Sequence, residues 1–155
     1  MPSGVLRPEK EFTVGQMLAA LGGIAVAISI ILDWVDFTSR GALHENNATL
    51  VSFEFLFDKG TESHNPSILI ILIPAAALLL LAAMLPSFRV AGVVGGVGAT
   101  LVPVLYCLQV QRGLDDELAG TRVGLFDFIG AGVYVALVGG VVGVIGSLLP
   151  RPEQA

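Results

Sequence analysis

Four apolar stretches alternate with polar segments along the chain. Residues 14–32 and 90–110 contain no charge at all. Residues 67–85 hold an unbroken aliphatic run on either side of Pro74, and residues 125–149 carry one charge, Asp127, near their start. At about 1.5 Å per residue, 19 residues span roughly 28 Å as a helix, close to the hydrocarbon thickness of a bilayer. Hydrocarbon offers no partner for a backbone amide, so each stretch is expected to be a helix and not a strand. The pattern predicts an all-α integral membrane protein, one domain of four transmembrane helices over 14–32, 67–85, 90–110 and 125–149. The first stretch follows a segment of mixed charge (Arg7, Glu9, Lys10, Glu11) and runs into Asp33-Trp34, with no small-residue cleavage pattern. It reads as a retained helix.

The connections differ in length. Residues 33–66 form a long first loop, Pro86-Ser87-Phe88-Arg89 a tight turn, and residues 111–124 a second loop. Four spans put both termini and the tight turn on one side of the bilayer and the two loops on the other. Basic residues divide equally, with Arg7, Lys10, Arg89 and Arg151 facing Arg40, Lys59, Arg112 and Arg122. The terminal-side segments are shorter, and so more basic per residue, which places both termini in the cytoplasm and the protein in the cell membrane. Residues 34–38 and 49–57 are dense in β-branched and aromatic side chains and fit short strands of an outer cap. Equally, Trp34, Phe53 and Phe55 fit an aromatic anchor at the membrane interface.

Composition strengthens this picture. Hydrophobic residues make up 54% and charged residues 14% of the 155, too few charges to cover a water-facing surface. A soluble enzyme, a disordered regulator and a disulfide-stapled module are thereby excluded, the last because Cys107 stands alone. The net charge of −5 argues against nucleic acid as a partner.

Small residues recur at helical spacing: Ala19, Gly23 and Ala27 in the first stretch, Gly92 and Gly96 in the third. The fourth has Gly132, Ala136 and Gly140, then Gly139, Gly143 and Gly146. Such faces let helix backbones approach closely, which supplies much of the attraction between helices in lipid. Packing within the bundle accounts for one face. The small residues on a second side of the last stretch leave room for a partner subunit or a second copy. Pro74 and Pro103 are expected to bend their helices.

Candidate chemistry is sparse. No ionisable residue lies in the middle of a span, whereas proton and ion carriers place one there. Rotary-ATPase proteolipids and small multidrug exporters need such a carboxylate, and quinone-linked disulfide enzymes need paired cysteines. Asp127 sits where a carboxylate can cap the first amides of the fourth helix. His44, Glu45, Glu62 and His64 match no metal-ligand spacing, and Asp115-Asp116-Glu117 reads as a solvated turn. No catalytic set, metal site or cofactor motif is expected.

Several segments together resemble a broad group of small bacterial, actinobacterial-type four-helix membrane proteins. They are Leu32-Asp33-Trp34-Val35 at the end of the first helix, Ser52-Phe53-Glu54-Phe55-Leu56 outside it, and the run from Gly130 to Gly140. That group often has Leu-Pro-Trp at the first position, where this chain has Asp33. The layout is also similar to the claudin-like tetraspan arrangement, without its paired-cysteine loop. The resemblance implies a cell-membrane protein without catalytic residues. The expected function is that of an accessory or stabilising subunit, bound through the lipid bilayer to other membrane subunits or to itself. The alternative is a small transporter or channel working as a homo-oligomer, with Gln16, Ser29, Thr100, Tyr106 and Gln109 as its polar groups.

Overall fold

The computed structural model describes residues 12–34, 68–117, 126 and 129–150. Among these the regular structure is helical. Helix α1 covers Val14–Ser29. A 3₁₀ turn at Ile68–Ile71 leads into α2, Leu72–Met84, and a second at Pro86–Phe88 leads into α3, Arg89–Glu117. Helix α4 covers Ala131–Leu148. The helices run up and down in turn and close into a ring. Each of α1 and α3 packs on both α2 and α4, while the diagonal pairs barely touch. Two stretches, Pro86–Gln111 and Ala131–Leu148, are long and apolar enough to cross a membrane; Val14–Ser29 and Leu69–Met84 are shorter apolar helices.

Local chemistry sets the helix bounds. At the lower end, Thr13 and Gln16 form a capping box: the Gln16 amide donates to Thr13 Oγ1 at 3.3 Å and the Thr13 amide to Gln16 Oε1 at 3.0 Å. This satisfies amides that the first turn otherwise leaves open. Pro74 does not bend α2. It lies in the first turn, after the 3₁₀ segment, where a missing N–H costs nothing. Pro103 is interior to α3 and fully buried.

Two boundaries correct the sequence reading. Helix α3 runs on through residues 111–117, which the apolar pattern assigned to a loop. Gln, Arg, Leu and Glu all favour helix, so loss of apolarity marks a change of surroundings and not the end of the hydrogen-bonded ladder. Residues 115–117 therefore belong to a helix end and not to a turn. Helix α4 starts at Ala131 and not at residue 125, with extended Gly130 at its N-cap position and, among the described residues, no side-chain cap. The side chains of Asp127, Phe53 and Phe55 lie outside the described residues, as do the strand segments 35–38 and 49–57 and the loop histidines.

Side-chain size is distributed inside out. Glycines and Ala19, Ala75, Ala76, Ala99 and Ala136 fill the interior, with Val26, Leu72 and Leu79 as the bulkier plugs. Large aliphatic side chains point away on every helix, such as Ile24 on α1, Ile73 on α2, Leu101 on α3 and Val138 on α4, each about half exposed.

Candidate functional site

The sequence marked the glycines, so the interior they build is the first place to examine. On the α1–α4 seam, a Cβ placed on Gly22 would lie 2.6 Å from the Gly139 carbonyl oxygen and from Gly143 Cα. One on Gly139 would meet Ala25 Cβ at 2.8 Å, and one on Gly15 the Gly146 carbonyl at 2.8 Å. Here backbone lies against backbone, and any side chain would pry the helices apart. On the other side of α4, a Cβ on Gly140 would come 2.5 Å from Thr100 Oγ1 and one on Gly96 would come 2.6 Å from Val144 Cγ2. Gly92 faces Ser147 Oγ, and Gly143 faces Leu79 of α2 at 2.6 Å.

All eight sequence-marked glycines are therefore committed within the chain, Gly23 facing Leu80 of α2 and Gly146 lying against Ala19 and Gly15 of α1. Gly92, Gly96 and Gly140 serve the α3–α4 contact, Gly139 serves α1–α4, Gly143 seats Leu79, and Gly132 seats Trp34. The small residues on two sides of α4 have two neighbours of their own, α1 and α3. A partner reaching those faces would have to displace a helix of the bundle.

Trp34 is the second correction. It is not an interface anchor: its side chain is wholly enclosed at the upper end of the bundle. The indole Nε1 donates to the Ser29 carbonyl at 2.8 Å, and the ring meets Tyr106 edge-on, with centroids 5.6 Å apart and planes at 73°. The Tyr106 hydroxyl donates to the Trp34 carbonyl at 3.4 Å. The indole is seated on Gly132 and against Tyr106, while Gly130 lies against the main chain of Asp33 and Trp34; all three are far along the chain.

Four further side chains bond main-chain carbonyls of the bundle. Thr100 Oγ1 donates to the Gly96 carbonyl at 2.8 Å and Ser29 Oγ to the Val26 carbonyl at 2.6 Å, each bonding its own helix. At the lower end Gln16 Nε2 donates to the Ala83 carbonyl at 3.0 Å, linking α1 to α2. Arg89 Nε donates to the Ser147 carbonyl at 2.7 Å, and its Nη2 donates to the Leu148 carbonyl, capping the C-terminus of α4. Ser147 Oγ is buried without a hydrogen-bond partner.

Neither Arg89 nor Ser147 was singled out in the sequence. Thr13-x-x-Gln16 ahead of an apolar run does carry a legible capping signal. An apolar groove of about 320 Å³ opens between α3 and α4, lined by Pro103, Val104, Cys107, Leu108, Val133 and Leu137, with Gln111 at its rim. Among the described residues, no three His, Cys, Asp or Glu side chains are grouped to hold a metal ion.

No protein-family model, curated protein or solved structure matches this chain.

Proposed function

We propose that the chain is a four-span protein of the cell membrane that acts by binding, as a non-catalytic accessory or stabilising subunit of a larger membrane complex. The observation that carries this reading is the inverted distribution of side-chain size. Water drives large aliphatic groups inward, yet here Ile24, Ile73, Leu101 and Val138 face outward from all four helices, while below the buried Trp34 and Tyr106 the interior is mostly glycine and alanine with a few leucine and valine side chains. Hydrocarbon surroundings remove the penalty on the outside and leave close backbone contact as the attraction within.

The partner surface in this reading is the outward aliphatic face and not the glycine seams. Both termini lie in the cytoplasm, with the Arg89 end of the bundle on that side. Of the polar groups the transport alternative would use, Thr100 bonds its own helix and packs on Gly140.

The test is purification of the full chain from native membrane in a mild detergent, followed by mass spectrometry of what accompanies it. Stoichiometric larger subunits are expected. A lone monomer or homo-oligomer, in membranes where the protein is abundant, overturns the subunit reading. Recovery of the untreated chain in the soluble fraction overturns the membrane reading as well.

A further inference from the structure

The chain leaving α1 turns back over the end of the bundle, and its carbonyls supply what α4 lacks. Among the described residues, no side chain caps the start of helix α4. Instead the Gly130 amide donates to the Trp34 carbonyl at 2.9 Å, and the Gly132 amide donates to the Asp33 carbonyl at 2.8 Å. These are among the amides a helix start leaves without intrahelical partners. The indole lies on the same turn, since a Cβ on Gly132 would come 2.5 Å from Trp34 Cδ1 and 2.6 Å from its Nε1.

We propose that Leu32, Asp33 and Trp34 form a releasable strap: the first turn of α4 is ordered while Trp34 is seated and comes free when it is not. A pull on the chain just beyond Trp34 would thus be felt at the start of α4 and at Tyr106. Below the strap α1 and α4 are also held by Gly22 against Gly139 and by Gly15 against Gly146, contacts that involve no part of residues 32–34. Trp34 belongs to the buried cluster that includes Val26, Leu72 and Tyr106, so its release opens the upper end of that cluster while the glycine seams below stay closed. The inference rests on these contacts alone and needs neither the membrane nor the subunit reading.

Residue-resolved hydrogen exchange on the purified full chain tests it, with emission from Trp34, the one tryptophan of the protein, as a second readout. Trp34→Ala is expected to speed exchange at the Gly130 and Gly132 amides by about tenfold or more. The Leu85 and Phe88 amides, bonded at the opposite end of the bundle, should stay within about twofold of the parent. Gly132→Ala, which keeps the indole but fills its seat, should shift Trp34 emission to the red and speed exchange at Gly130. Trp34→Phe, which loses only the indole N–H bond and part of the ring, should fall between parent and Trp34→Ala. Unchanged Gly130 and Gly132 exchange in Trp34→Ala overturns the proposal. So does uniform acceleration through all four helices, or failure of both Trp34 variants to fold, since Trp34 would then be a pillar of the core.

Discussion

Filling one glycine on the α1–α4 seam, and another that faces open space, separates backbone contact from simple helix propensity. In Gly22→Ala the new methyl would stand 2.6 Å from the Gly139 carbonyl and from Gly143 Cα, both main-chain atoms. Ordinary Cβ contacts begin near 3.4 Å, so the helices must part by 3.4 − 2.6 = 0.8 Å at that point. A gap of that size forfeits a quarter to a half of the attraction in each atom pair, at about 0.1–0.2 kcal/mol per pair. With on the order of twenty pairs along the seam, the loss is about 1–2 kcal/mol once local strain is added. Alanine's better helix propensity returns at most about 1 kcal/mol.

Gly98→Ala receives the propensity gain without the loss, because a Cβ there meets nothing within 4 Å. The assay is equilibrium unfolding of the full chain in mild detergent titrated with a denaturing one, followed by helical circular dichroism. Gly22→Ala should unfold earlier than Gly98→Ala by about 1–2 kcal/mol, since both receive the same propensity gain. An equal change in both variants, or a Gly22→Ala midpoint above that of Gly98→Ala, would refute the reasoning.

The lower end of the bundle gives three further tests by the same titration. Arg89→Met keeps the stem but loses both bonds to the α4 carbonyls and the favourable charge at that helix end, and should cost about 1–2 kcal/mol. Its Leu149 amide, bonded to the Ile145 carbonyl, should exchange faster. Ser147→Ala removes a buried hydroxyl with no partner and should be neutral or stabilising by up to about 1 kcal/mol. Ser147→Val crowds Gly92 and should cost about 1–3 kcal/mol. Gln16→Leu breaks the capping box and the bond to the Ala83 carbonyl, and a loss of about 1–2 kcal/mol is expected.

The four helices and the tight turn at Pro86–Phe88 were legible because apolar run length and Pro placement are local signals. So was the role of small residues as packing surfaces. What each glycine packs against was not legible, since helical spacing marks a face without naming its neighbour. The second small face of α4 therefore suggested a partner where α3 already stands. The length of α3 was misjudged because hydropathy reports surroundings, and residues 111–117 leave the apolar region while staying helical. Trp34 was misplaced for a related reason. Its sequence neighbours Asp33 and Asp36 are polar, but its surroundings are set by Tyr106, Gly130 and Gly132, more distant in sequence than any local pattern reaches. The Arg89 cap depends likewise on the fourth helix ending beside the start of the third.

The seam between α1 and α4 joins the first helix of the ring to the last. Gly15 and Gly22 have their backbone surfaces shaped for a partner that is synthesised after the other three helices, and loop closure between such distant segments is slow. Until then the growing chain holds a three-sided bundle whose thinnest flank, bare main chain at Gly15 and Gly22, lies open. The ring thus closes only once α4 is available, and a chain interrupted before α4 would carry an unfilled groove down its first helix. Such a groove can accept a foreign helix with small residues in the same register. A neighbouring copy supplying its own last helix would be an exchanged dimer, the characteristic failure of folds sealed by their terminal elements.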